Sequence, residues 1–342
     1  MVDSFTQKAR HLLLLVITIV ILGACTPPSD ERQSEHVMPA FSRSMQPFCF
    51  GRLVIDVPTE ADIRVIDQRI QGIGEILVRR NLSKEEFFQF ASNKERELAA
   101  TPHRKEGTVL RDVLNLDNAV ILSFRDDDLN TLDYSLLGYF WKNGVGFELG
   151  YNAGNDELEL IKVELQRAIG LIHPRDNSEL PEGPGFCIDN AVVSGSDFRL
   201  ERVGAAFTVP SLPSMEINVE SSSVESIYPE NLIQRSDQNL PAIRELHTDL
   251  RLEQLRKGKR IVAGFDGLEL VEVAKKGTPD ELFQATWEFL GEEKSLDRPS
   301  VTVSMSYGGE RAESTPSGER LSIDEMLGAW EAMLSSLRRQ GK

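Results

Sequence analysis

Three cysteines, five histidines and 54 carboxylates are the groups in this 342-residue chain with most capacity for chemistry. A thiol can serve as a nucleophile, a metal ligand or half of a disulfide. The histidines lie apart from one another, and His103, His173 and His247 have no companions at metal-ligand spacing. They read as solvated surface side chains. The densest acidic run, Asp126-Asp127-Asp128-Leu129-Asn130, fills the first liganding positions of a calcium loop. It places Thr131 where the sharp turn needs glycine and Leu137 where a bidentate glutamate belongs, so a solvated hairpin accounts for it better. Gly72-Ile73-Gly74 opens a dinucleotide-like pattern, but Leu77 stands in place of its third glycine; this too reads as a turn. The sequence holds no Gly-x-Ser-x-Gly elbow, Ser-x-x-Lys, His-Glu-x-x-His or Walker loop. These residues point to binding instead of catalysis, with no metal and no cofactor expected.

Composition narrows the kind of binding. Hydrophobic content of 40% and charged content of 27% are ordinary for a folded soluble protein. The formal charge is −16, and residues 1–24 carry a net +1 from Asp3, Lys8 and Arg10, so the remainder carries −17. A surface of that sign repels phosphate backbones and anionic lipid, which excludes nucleic acid as an expected partner. Solubility alone explains such a charge; a basic protein partner, steered in by the field, is the sharper reading.

The remaining cysteine, Cys25, belongs to a separate segment. Lys8 and Arg10 precede the apolar run Leu12–Leu22, broken only by Thr18. Eleven residues at ~1.5 Å each reach roughly half of a ~30 Å hydrocarbon core, too short to span it. The run ends in Leu22-Gly23-Ala24-Cys25, which resembles a bacterial lipoprotein signal and implies a lipidated Cys25. Thr26 is not the aspartate that favours inner-membrane retention, so the resemblance implies a periplasmic, lipid-anchored protein, on the outer membrane more than the inner. Several acyl chains would hold it stably at the membrane surface. Disulfides persist in that compartment, and there Cys49 and Cys187 suggest a bridge, with two buried free thiols as the alternative.

Beyond the signal at 1–25, residues 26–46 read as a polar tether containing Pro27-Pro28. Two domains are expected, at 47–178 and 185–342, parted by the breaker Pro181-Glu182-Gly183-Pro184-Gly185. Each follows a Phe-Cys pair and reads as strands, a long helix, more strands and a closing helix, an α+β class of tandem, duplicated domains. In the first, Ser83-Lys84-Glu85-Glu86 is a capping box, with Phe87, Phe90, Ala91 and Leu98 on one helical face before Pro102. Its closing helix is expected from Asn155 as N-cap. In the second, a helical region is expected from Glu230 to Lys257, interrupted near Pro241, and the final helix opens with the capping box Ser322-Ile323-Asp324-Glu325. Matching Tyr-Gly turns at Tyr151 and Tyr307 support duplication. Trp141, Trp287 and Trp330 fall on periodic faces and read as core.

The run Phe48-Cys49-Phe50-Gly51-Arg52-Leu53-Val54-Ile55-Asp56-Val57-Pro58, with the restart at Gly185-Phe186-Cys187-Ile188, resembles the immunity proteins of type VI secretion lipase effectors. Within them it looks like the fourth class, which pairs with an α/β-hydrolase phospholipase. The resemblance implies a non-enzymatic binder that neutralises a cognate phospholipase effector by blocking its cap or active site. An envelope lipoprotein with a structural or assembly role, and no toxin partner, is the alternative.

Overall fold

Alternation of buried and half-exposed side chains sets most of the strands. In Ser300–Gly308 the residues Val301, Val303, Met305 and Tyr307 point inward, with serines and a threonine between them. The structure is a computed structural model and describes residues 44–70, 74–195, 200–246, 251–309 and 320–341. The signal and its Cys25, most of the tether, the turn at Gln71-Gly72, the strand expected at Phe198 and His247 lie outside those residues.

The first half opens with a hairpin, β1 (Met45–Phe50) and β2 (Leu53–Pro58), followed by β3 (Asp62–Arg69) and β4 (Ile76–Arg79). Helix α1 (Lys84–Ala100) starts at the capping box of Ser83 and Glu86 and stops before Pro102. A two-residue ladder, β5 (Pro102–His103) with β6 (Gly107–Thr108), leads into a meander of β7 (Leu110–Leu116), β8 (Ala119–Phe124), β9 (Asp133–Lys142) and β10 (Val145–Gly154). Helix α2 (Leu158–Leu171) and β11 (Ile172–Pro174) close it.

The second half repeats that order. A hairpin of β12 (Phe186–Ile188) and β13 (Ala191–Val193) precedes β14 (Arg202–Val209), β15 (Leu212–Ser222) and helix α3 (Leu232–Leu246). A meander follows of β16 (Leu252–Val262), β17 (Phe265–Ala274), β18 (Leu282–Phe289) and β19 (Ser300–Gly308). Helix α4 (Ile323–Ser335), capped by Ser322 and Glu325, and β20 (Arg338–Arg339) complete the chain. The sheets run β4-β10-β9-β8-β7 in one half and β14-β15-β19-β18-β17-β16 in the other, so β4 corresponds to β15 and each meander to its counterpart. This is the α+β tandem architecture expected.

The halves interlock through equivalent parts. β3 leaves its own sheet, where a single bridge from Arg69 to Glu75 remains, and pairs antiparallel with β14. β20, from the end of the second half, completes the hairpin β1-β2; β11, from the end of the first, completes β12-β13. Gly51 and Cys187 exchange both backbone hydrogen bonds, at 3.0 and 2.6 Å. One hydrophobic cluster accordingly runs through both halves, from Phe147 and Leu165 to Trp287 and Trp330. Phe48 meets Phe207 edge-on within it, ring centroids 5.1 Å apart.

Several expectations need correction. The helical region drawn to Lys257 ends at Leu246, and Leu252–Val262 is strand. Its Leu, Glu, Lys and Arg residues favour helix, but ten backbone partners on β17 override that preference. Pro241 lies inside α3 without ending it. Asn155 does not cap α2, whose N-cap is Glu157; its amide instead donates to the Thr131 carbonyl and its oxygen accepts from Arg125. Phe90 is 40% exposed, under the guanidinium of Arg79 at 4.6 Å, while Phe87, Ala91 and Leu98 are buried as expected.

Candidate partner-binding surface

Among the described residues, the cysteine pair, His103 and the acidic run at 126–128 serve structural roles. Cys49 and Cys187 are joined as a disulfide and buried, and the Gln340 side-chain amide covers them, 3.1 Å from one sulfur and 3.4 Å from the other. His103 is 4% exposed, not solvated. Its Nδ1 accepts from the backbone N–H groups of Lys105 and Glu106, and its Nε2 faces the Asn130 carbonyl at 3.0 Å. It therefore pins the loop between β5 and β6 to the acidic hairpin. In that hairpin Asp127 accepts from the N–H groups of Leu129 and Asn130, which hold its carboxyl below the usual range. Asp128 pairs with Arg104 at 3.2 Å, so this run shapes a turn. His173 is exposed, 3.2 Å from the Ser194 hydroxyl. Among the described residues no group of three or more His, Cys, Asp or Glu side chains could hold a metal.

The sheet faces beneath α1 and α3 differ, and that difference accompanies a groove under α3. Placing Tyr151 of β10 on Tyr307 of β19 brings the pairings of both meanders into correspondence. Leu122, Leu137, Tyr139 and Trp141 then match Glu272, Gln284, Thr286 and Glu288. The first set is apolar, and α1 packs on it: Phe87 is fully buried, with Tyr139 and Trp141 at centroid distances of 6.2 and 5.5 Å. The second set is polar, and α3 buries no residue against it. α3 is held at its start by Glu288, which accepts from the Leu232 N–H at 2.9 Å and pairs with Arg235 at 2.5 Å. Lys257 adds a contact to Asp237 at 2.5 Å.

Between α3 and this sheet runs a groove of about 740 Å³. Leu240 and Ile243 of α3 face it from above, Leu252 and Leu282 flank it, and Glu216, Glu272 and Gln284 line its floor. A smaller groove of about 510 Å³ occupies the corresponding end of the first sheet, with Glu75 in the place of Glu216. Among the described residues that line them, neither combines a nucleophile, a base and an oxyanion site. Strand β18, Leu-Phe-Gln-Ala-Thr-Trp-Glu-Phe, carries the relevant signal as polar residues alternating with its core side chains, but reading it as a groove floor requires knowing that α3 lies above without packing.

Two family models, described as the N-terminal and C-terminal domains of Tle cognate immunity protein 4, match residues 46–162 and 179–341. Among solved structures, a chain of the Tle4-Tli4 complex is similar with a TM-score of 0.75 and 25% identity, over 87% of this chain and 98% of that one. The apo form of TplEi, a T6SS immunity protein from Pseudomonas aeruginosa, gives 0.74 and 25% over 86% and 97%. The same protein complexed with "L" peptide shares the fold at 0.71 and 22% identity, over 88% and 100%. No curated protein matches the sequence. Both domain models fall in order along one interlocked, duplicated fold, and the chain belongs to the Tle cognate immunity protein 4 family.

Proposed function

We propose that this protein neutralises a cognate type VI secretion phospholipase effector by binding it and covering its cap or active site. It does so in the periplasm, held to a membrane by lipid on Cys25, with the outer membrane favoured by Thr26. The observation that carries this reading is the ordered match of both immunity domains, together with the likeness to a chain solved in complex with Tle4. The mechanism is steric, because lipases act through a mobile cap and a ligand shifts that equilibrium by preferring one of its states. The mature chain is expected to have no phospholipid hydrolysis of its own.

Co-expression tests it. Cells carrying the cognate type VI phospholipase, directed to the periplasm, survive when the full chain is present, and the two proteins co-purify. Cys25→Ser moves the protein to the soluble periplasmic fraction. Lysis despite abundant, folded protein rules out the neutralising role, and a soluble wild type rules out the anchor.

A further inference from the structure

The hydrogen bonds of buried His103 fix which of its ring nitrogens carries the proton. Nδ1 accepts from the Lys105 N–H at 3.3 Å and from the Glu106 N–H at 3.0 Å, so it holds no hydrogen of its own. Nε2 carries it and donates to the Asn130 carbonyl at 3.0 Å. The neutral ring is therefore a two-sided clamp, with the β5–β6 loop on one nitrogen and the acidic hairpin on the other. A proton added to Nδ1 would point at two N–H groups that are themselves donors, and that arrangement cannot persist.

More than the loop depends on this clamp. Glu106 turns its carboxylate to Arg125, meeting Nε at 3.2 Å and Nη2 at 2.8 Å. Arg125 is 3% exposed and continues to the Asp133 carbonyl, the Asn155 side chain and the Tyr134 hydroxyl, at 2.9, 2.7 and 2.7 Å. His103 thus positions the carboxylate that neutralises a buried cation.

The charged groups around the ring come from four elements. Its own loop supplies Arg104, Lys105 and Glu106, and the hairpin supplies Asp126, Asp127 and Asp128, with Arg104 and Asp128 paired at 3.2 Å. Arg111 on β7 and Arg125 after β8 act on Glu106, while the last turn of α1 carries Glu97, paired with Lys94 at 2.8 Å. Glu106 and Asp127 draw a proton toward the ring, yet the ring's own partners are all backbone groups. Both carboxyls are held below the usual range, Glu106 chiefly by its Arg125 hydrogen bond and Asp127 by the Leu129 and Asn130 N–H groups. Neither changes charge where histidine does.

We propose that His103 is an acid-released latch: proton uptake at Nδ1 frees the loop at 104–106 from the hairpin at 126–132, while both sheets stay folded. The ring binds more protons open than closed, so closure holds above the histidine range and weakens as pH falls through it. Counting this group alone, the open fraction rises about 10- to 30-fold from pH 7.5 to pH 5.0. The latch works in the same way with or without an effector bound.

Amide hydrogen exchange of the mature chain at the two pH values, corrected for the intrinsic rate at each, tests it. Protection at Arg104, Lys105 and Glu106 is expected to fall about 10- to 30-fold at the lower pH and to hold steady in β18. Nitrogen chemical shifts of the imidazole are expected to show the Nε2–H form at pH 7.5. His103→Asn places Oδ1 where Nδ1 stands, accepts the same two N–H groups and takes up no proton, so its protection is expected to be the same at both pH values. Constant protection in the wild type, an Nδ1–H ring at pH 7.5, or an equal fall in His103→Asn would each overturn the latch. So would loss of protection in β18 in step with the loop, since the acid response would then be global unfolding. Should His103→Asn fail to fold, exchange and nitrogen shifts of the wild type decide between these outcomes.

Discussion

Cys49 and Cys187 occupy the same place in the two halves of the chain and are bonded to each other, their Cα atoms 5.8 Å apart. Each follows the phenylalanine that opens its half, so the crosslink joins equivalent points instead of fastening one end to an unrelated loop.

The pair is separated by 138 residues in sequence. In the chain-entropy model a loop that long limits the unfolded state by about 5 kcal/mol, an upper value. Cys49→Ser with Cys187→Ser should lower the urea midpoint by an amount corresponding to about 2–5 kcal/mol, leaving the slope close to that of the reduced wild type. Peptide mass spectrometry without reduction should return the linked pair; an alkylated thiol at either position in the native protein would contradict it.

Arg52 grips Glu201 across the same seam, donating from Nε and Nη2 to the two carboxylate oxygens at 3.0 and 2.9 Å. Glu201 is 3% exposed, and burial pushes its carboxyl up while Arg52 opposes that shift. Arg52→Ala leaves a buried carboxylate without its partner and should cost about 3–5 kcal/mol at neutral pH. Because the folded pKa is raised, the stability linked to protonation is present at low pH and lost as pH rises through it. The deficit of the variant should therefore shrink on acidification, which urea titrations at pH 7 and pH 5 would measure. A deficit independent of pH would assign the loss to packing.

Glu331 on α4 has the opposite sign. Burial pulls its carboxyl up, but hydrogen bonds from Arg260 and Arg256 outweigh this and hold it below the usual range. Arg260 also reaches Glu269, whose carboxylate accepts from the Trp330 indole N–H at 2.6 Å. A lowered folded pKa gives stability above the unfolded value that is lost as pH falls through the folded one. Glu331→Gln should cost about 1 kcal/mol at pH 7 and progressively less as the pH drops through the glutamate range. Parallel thermal melts across that range would show whether the two curves converge.

Phe87 and Ile243 test the contrast between the helices. Phe87→Ala empties a fully buried site and should cost about 3–5 kcal/mol. Ile243→Ala, on a helix with no buried residue, should stay within about 0.5 kcal/mol. Gly146→Ala should also destabilise, by about 1–3 kcal/mol, because a Cβ there would collide with the Phe87 ring. Guanidinium unfolding of the three variants reads all of this directly.

Much of this fold could be read from residue order. Both capping boxes and the strand alternation are local, and each is governed by a few neighbouring residues; Tyr151 and Tyr307, expected in turns, lie instead within β10 and β19, paired with strands distant in sequence. What could not be read depends on distant partners. Leu252–Lys257 has helical propensity and becomes strand because β17 pairs with it. His103 looks solvated until the hairpin ending at Asn130 folds over it. The groove under α3 is non-local in the same way, since Gln284 and Glu288 are ordinary outward residues of a strand until α3 is placed above them.

The exchange of β11 and β20 between the halves has a consequence for how the molecule comes into being. The hairpin near residue 50 gains its third strand only from Arg338 and Arg339, and β3 gains its neighbour only once residue 209 has emerged. The first half can complete β4-β10-β9-β8-β7 by itself, but β1, β2 and β3 find their remaining partners only when the second half has been made. A truncated product lacking its final ten residues would therefore leave the opening hairpin with a bare edge.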